Sequence, residues 1–150
     1  MSKYNKEYYE KNRNKIREKQ NEYKKWYKLN FPYKALNDHV KERYGIESNI
    51  TEEQYWEMFS YFHYTCAYCG CDLTGDRTKD KMTVDHIVPL SQGGTADVWN
   101  CIPCCKHCNL SKGKKTLLGW LADKDRLNPY QFEFICKYVD YMFDKYYNED

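Results

Sequence analysis

Residues 83–109 read TVDHIVPLSQGGTADVWNCIPCCKHCN, and this stretch decides the fold. It opens on a β-branched, apolar run from Thr83 to Pro89 and closes on a second extended run from Asn100 to Cys104. Ser91-Gln92-Gly93-Gly94-Thr95 between them reads as a flexible loop. A helix is expected to start near Lys106 and run past Lys115. Strand, loop, strand and helix in that order make a compact ββα unit, so the chain is expected to be α+β. Upstream lies Cys66-Ala-Tyr-Cys69-Gly70. Two such CxxC pairs can supply four thiolates to one tetrahedral zinc.

Three pairs compete for that role: Cys66/Cys69, Cys101/Cys104 and Cys105/Cys108. Gly70 permits the turn that aims backbone N–H groups at the thiolates of the first pair. Cys105/Cys108 is the favoured partner, because helix amides there can also stabilise thiolate charge. Cys101 and Cys104 then fall in a strand with Ile102 and behave as small apolar groups. The rival assignment, with Cys101/Cys104 as the second pair, stays open at this point. Cys71 and Cys136 have no paired spacing and read as free thiols.

The eight cysteines sit in a chain of 150 residues, about one domain's worth. No amino-terminal apolar stretch resembles a signal peptide, and none is long enough to cross a membrane. This argues against a secreted disulfide scaffold and a membrane protein. In a reducing cytosol paired CxxC spacing means metal more often than disulfide. A cytoplasmic location, inside a bacterial host, is therefore expected. Lys, Asn and Tyr are abundant and all have A/T-rich codons, which points to a low-GC genome such as a phage or mobile element.

The net charge of +2 hides an asymmetry. Residues 3–28 hold ten basic and four acidic side chains, a net of +6. Residues 119–150 hold four basic and seven acidic ones, a net of −3. The basic amino-terminal third suits a polyanionic partner or forms a solvated helix face. No Gly or Pro interrupts it before Pro32, and Tyr9, Ile16 and Tyr23 recur every seven residues. A long helix is expected over 3–30, with an apolar face too thin to be stable alone in water. Phe31-Pro32 breaks it, and a second helix over 33–44 ends at Gly45. Thr51 and Gln54 read as a capping box, opening a helix that buries Tyr55, Met58, Phe59 and Phe62. His39 and His63 have no partner motif. From Pro129 to Tyr147, Phe132, Ile135, Val139 and Phe143 mark an amphipathic helix that closes over the domain. The expected organisation is a basic helical arm at 1–50, a core at 51–118 and a helical cap at 119–150.

Asp85-His86 gives the core its chemistry. On a strand, neighbouring side chains point to opposite faces, so one can bind a metal while the other faces a water. A histidine near its reference pKa can take a proton at neutral pH, and a hard divalent ion needs few oxygen ligands. Asn109, early in the following helix, can bring its amide oxygen to the same ion. Taken one at a time, Asp85, His86 and Asn109 read better as a turn cap, a gap filler and a helix cap.

Together these residues resemble the HNH endonuclease family. The matching text is Cys66-Ala-Tyr-Cys69, then Asp85-His86-Ile87-Val88-Pro89-Leu90 and Gly93-Gly94. Trp99-Asn100, Ile102-Pro103 and Cys105-Lys-His-Cys108-Asn109-Leu-Ser-Lys112-Gly113 complete it. The resemblance covers roughly residues 64–120. It implies a small ββα-metal core, treble-clef-like and of the His-Me finger type, with a structural zinc and flanking amino- and carboxy-terminal helices. It implies a metal-dependent endonuclease that nicks or cuts double-stranded DNA. His86 would be the general base, and Asn100 would brace the loop that orients it. Asp85 and Asn109 would hold magnesium or manganese, and Cys66, Cys69, Cys105 and Cys108 would hold zinc. Lys112, Lys114 and Lys115 would meet phosphates, with Arg13, Lys15 and Arg17 on the arm. The third motif position is asparagine here, a neutral and weaker ligand, as in some active members. His107 lies off the motif register. The alternative is a zinc-stabilised nucleic-acid-binding module without cleavage.

Overall fold

The computed structural model describes residues 3–75, 82–124 and 129–148. Of the charges counted above, Asp125, Arg126, Glu149 and Asp150 lie outside the described residues.

Helix α1 runs unbroken over Lys3–Asn30, so it is about 42 Å long at 1.5 Å per residue. Its stripe of Tyr8, Tyr9, Tyr23 and Trp26 stays exposed along the arm. Its last turns meet α2 (Pro32–Tyr44), where Tyr27 donates to Asp38 Oδ2 at 3.0 Å. Phe31 packs between the two helices against the Trp26 and Tyr27 rings. Pro32 occupies the first turn of α2, where its missing N–H costs nothing, and Gly45 closes the helix in the left-handed conformation. Asn37 then staples residues 48–50 to α2. Its side chain donates to Ile50 O at 2.9 Å and accepts from Ser48 Oγ at 2.6 Å.

Helix α3 (Glu52–Tyr61) carries the expected capping box, Thr51 with Gln54, and buries Tyr55, Met58 and Phe59. Phe62, just past its end, is buried with them. Strands β1 (Met82–His86) and β2 (Cys101–Cys105) form an antiparallel pair in which Asp85 faces Ile102 and His86 faces Cys101. Both strands are shifted from the sequence reading. Ile87 to Pro89 leave the sheet, Asn100 ends a 3-10 turn over Val98–Asn100, and Cys105 joins β2.

The connection between the strands is tight where a flexible loop was expected. Leu90–Gln92 form a 3-10 turn, and Gly94 presses on the backbone of Val88. A Cβ at Gly94 would come within 1.9 Å of the Val88 carbonyl oxygen, so only glycine fits.

Helix α4 covers Lys106–Lys112 and stops there, short of the expected Lys115. A separate helix α5 (Leu117–Lys124), absent from the sequence reading, follows after a short turn. It buries Leu117, Trp120 and Leu121. Because α5 spans residues 117–124, it crosses the boundary expected at 118. Helix α6 (Pro129–Tyr147) closes the domain through Ile135, Tyr138 and Met142, with Phe143 left at the edge against Trp99. Of the expected stripe, Ile135 is buried, Phe132 and Val139 pack partly buried against the core, and Phe143 stays at the rim, while Tyr138 and Met142 take the centre. Tyr138 decides it: buried, it needs a hydrogen-bond partner, and its hydroxyl donates to Val98 O at 3.0 Å. One core joins α3, the Cys66–Tyr68 turn, β2, α5 and α6. Fully burying a side chain such as Met142 contributes about 1.5–3 kcal/mol.

Glu57 ties α3 to α6 by accepting from Lys145 Nζ at 2.8 Å and from the Tyr141 and Tyr146 hydroxyls. Burial pushes its carboxyl up, but these three donors outweigh burial and hold it below the usual range. The stabilisation is therefore complete above the unfolded carboxylate pKa and lost as pH falls through the lowered value. Glu57→Gln is expected to lower stability at pH 7 by about 1–3 kcal/mol. The gap should close as pH falls below about 4. Urea melts at both pH values check this, and a pH-independent difference would contradict it.

Candidate active site and metal cluster

Cys66 and Cys69 sit in a turn closed by Gly70, whose φ of 74° is left-handed and whose N–H donates to Cys66 O at 2.8 Å. The turn is pinned to β2 by the Ala67 N–H, which donates to Pro103 O at 2.9 Å. Cys105 caps α4, and the Cys108 N–H points at its sulfur at 3.4 Å. This brings the Sγ atoms of Cys66, Cys69, Cys105 and Cys108 within 4.8 Å of one another, with Cys69 and Cys105 3.9 Å apart. A tetrahedron with Zn–S bonds of about 2.3 Å has edges of about 3.8 Å, so the cluster fits zinc.

The competing pair does not join it. Cys101 and Cys104 are buried in β2, where burial pushes both thiols well up and keeps them protonated. At Cys105 burial also opposes the thiolate, but the Cys108 N–H and neighbouring sulfurs outweigh it and bring it down to about 7. Cys71 is a free thiol, as expected, outside the four-sulfur cluster but beside Cys69 and Cys105, and desolvation together with the neighbouring Cys69 pushes it up to about 12. Its carbonyl accepts from the Cys66 N–H at 2.8 Å.

Asp85 lies on the face of β1 that α4 covers. Its Oδ2 accepts from the Tyr68 hydroxyl at 2.5 Å and pairs with Lys112 Nζ at 2.9 Å. Lys112 also donates to His86 O at 3.0 Å, and its ammonium is fully buried. The sequence reading placed Lys112 on phosphate. Here it is an internal cation at the seam of α4 and β1, because α4 ends on it and turns it inward. Asn109, one turn earlier on α4, donates to Thr83 Oγ1 at 3.1 Å. Thr83 and Asp85 are two apart on one strand and share a face, so Asn109 and Asp85 line the same seam. A carboxylate and an amide oxygen there are hard donors that fit a magnesium- or manganese-sized ion. That ion would share Asp85 with Lys112.

His86 follows on the strand. Its Nε2 is, among the described residues, the one buried side-chain nitrogen or oxygen with no hydrogen-bond partner. Burial pushes the imidazole below its usual range. Asp85 opposes this, while Lys112 and His39 add to it. The exposed His39 of α2 thus lies near enough to His86 to act on it electrostatically, which its lone position in the sequence gave no reason to expect. Asn100 spans the connection after β1. It accepts from the Val88 N–H at 2.9 Å and donates to Val88 O at 3.0 Å and Thr95 O at 2.7 Å. Lys114 and Lys115 are exposed just beyond α4. Arg13, Lys15 and Arg17 are exposed along the middle of α1, outside the ββα unit. Arg13 and Arg17, four apart, share a helix face that Lys15 does not.

Comparison with known proteins finds the HNH endonuclease family model over residues 66–115. The chain is also 32% identical over 82 residues to the "SPbeta prophage-derived putative HNH endonuclease YoqL" of Bacillus subtilis (strain 168). That match takes in 52% of this chain and 36% of the relative, so the chain spans about a third of the relative's length. Among solved structures it is similar to the Type II-C Cas9 enzyme from Actinomyces naeslundii, at 18% identity and a TM-score of 0.42. That likeness covers 85% of this chain and 16% of Cas9. The family match begins on the first thiol of the cluster and ends on Lys115, so residues 66–115, the ββα unit and its four cysteines, match the HNH endonuclease family model.

Proposed function

We propose that residues 66–115 hydrolyse DNA phosphodiester bonds with His86 as general base. The observation that carries this is the unpartnered, buried Nε2 of His86. A buried polar nitrogen without a partner costs stability, and such atoms are concentrated where a substrate or water completes the bond. A neutral imidazole there can accept the proton of an attacking water. Asp85 and Asn109 would hold a magnesium or manganese ion, which when bound supplies charge stabilisation at the scissile phosphate. Asn100 fixes the loop that follows His86. The zinc cluster takes no part in the chemistry and holds α4 against β1.

The substrate in this reading is double-stranded DNA inside a bacterial cell, and the gene belongs to a phage or mobile element. The prophage-derived relative and the Lys-, Asn- and Tyr-rich composition support that origin. Exposed Lys114 and Lys115 meet phosphates beside the centre, while the basic arm extends the contact. Among the described residues no helix is long and apolar enough to cross a membrane. Supercoiled plasmid incubated with magnesium or manganese should become nicked or linear. The second reading, a zinc-stabilised binding module, draws on Asp85 being already neutralised by Lys112. Intact plasmid in every metal, with DNA binding retained, would favour it.

For the arm, the pair Arg13→Ala and Arg17→Ala is expected to reduce the slope of log affinity against log salt by about two. Titrations of a DNA duplex at several salt concentrations give the slope directly. A slope equal to wild type would make α1 a structural or oligomerisation element.

A further inference from the structure

We propose that Tyr68 is a positioning residue, linking the thiolate cluster to the carboxylate of Asp85, which the proposed function makes a metal ligand. Tyr68 lies between Cys66 and Cys69, so its backbone is placed by two of the four sulfurs. Its hydroxyl crosses to β1 and donates to Asp85 Oδ2 at 2.5 Å. The ring has little freedom. It is buried, and Trp120 meets it edge-on with centroids 5.0 Å apart. Trp120 is itself held to α4 through its Nε1, which donates to Ser111 Oγ at 3.0 Å. The neighbouring Ala67 N–H is bonded to Pro103 O, opposite Val84 in the sheet and one residue from Asp85.

Two donors from two different elements therefore converge on one oxygen of Asp85: Tyr68 from the cysteine turn and Lys112 from α4. A carboxylate held this way cannot turn about its last bond without breaking one of two charge-assisted hydrogen bonds. Its other oxygen, Oδ1, keeps a fixed direction for a further ligand. If Tyr68 is removed, Asp85 is held through Lys112 alone, at the end of a flexible four-carbon stem. Besides holding α4 against β1, the thiolate cluster thus reaches Asp85 directly, by setting where Tyr68 puts its hydroxyl. Outer-shell partners of metal-binding carboxylates matter in this way, and losing one costs 10–100-fold in metal affinity or activity.

Tyr68→Phe removes one oxygen atom and leaves the cluster, the ring and the Lys112 pair in place. Zinc-loaded Tyr68→Phe is expected to keep one zinc per chain and wild-type DNA affinity. Its affinity for manganese, measured by calorimetry without DNA, should fall by about 10–100-fold. The manganese concentration for half-maximal plasmid cleavage should rise by the same factor. A merely structural hydroxyl would lower the melting temperature and leave manganese affinity within about twofold of wild type, and that result overturns the proposal. A second measurement needs no variant. The Tyr68 ring resonances of wild-type protein should shift on titration with magnesium, with the midpoint seen for cleavage, and a flat titration also overturns it. His86→Ala separates this from the underlying reading. A variant that still cleaves as wild type sinks the nuclease assignment of the centre. An inactive His86→Ala beside a Tyr68→Phe with normal manganese affinity sinks the Tyr68 proposal alone.

Discussion

His86→Ala is expected to abolish plasmid cleavage while zinc content and DNA affinity stay at wild-type values. A positioned general base contributes about 10²–10⁴-fold, so the barrier should rise by about 3–5 kcal/mol. The expectation rests on three features of one side chain. The Nε2 atom is buried and has no partner among the described residues, which leaves it able to take a proton. The backbone around it is fixed on both sides. The His86 carbonyl accepts from Lys112 and the Ile87 N–H donates to Asn100 O at 2.9 Å. Burial also pushes its pKa down, so the ring is already neutral at pH 7. Cleavage should therefore rise with pH through a value below the usual histidine range and stay flat above it. The same shift has a cost in acid. Below the ordinary pKa the unfolded chain binds the proton more readily, so stability falls as pH drops. A His86→Ala protein that nicks plasmid within tenfold of wild type would remove His86 from the mechanism.

The parts of this centre that were legible in the sequence are those decided within a few residues. Pro32, Gly45 and the Thr51–Gln54 box mark helix ends because their effect is local. The cysteine register was legible for a related reason. A short strand buried on both faces takes Cys101 and Cys104 as small apolar groups, while Cys105 at the strand end and Cys108 one helical turn on can reach a shared point. What could not be read depends on distant partners. A lysine three residues after Asn109 reads as a surface cation. Only Asp85 and the His86 carbonyl, brought up by the hairpin, make a buried site for it. Helix α5 was missed because Gly119 interrupts a short run whose helicity depends on burying Trp120 against Tyr68. The stripe of α6 was legible, but spacing alone cannot place Tyr138 deeper than Val139, because the deciding acceptor, Val98 O, lies forty residues away.

Stripping zinc from the four cysteines with a chelator, or replacing Cys66 by serine, is expected to unfold the core rather than only slow the proposed cleavage. The local elements cannot hold themselves. A two-stranded hairpin is marginal alone in water, and so is α4 at seven residues. Three of the four cysteines that join them, Cys66, Cys105 and Cys108, belong to the core that also holds Met58, Phe59 and Ile102. Burial pushes the Cys66 and Cys108 thiols up, so without a cation these two hold their protons at neutral pH. A bound dication reverses that balance by stabilising all four thiolates, and structural zinc binding of this kind is worth about 10–16 kcal/mol of folding free energy. Zinc retention should also weaken as pH falls, since each thiolate must give up its metal to a proton. Cys101→Ser supplies the contrast. It buries a hydroxyl in β2, costing about 1–3 kcal/mol, and should still bind one zinc. Near-ultraviolet circular dichroism and zinc stoichiometry separate the two variants. Cys66→Ser carrying a full zinc and melting with wild-type cooperativity would show that the four sulfurs are not what holds α4 on the catalytic strand. Asp85, Asn109 and Tyr68 would then need another reason to meet.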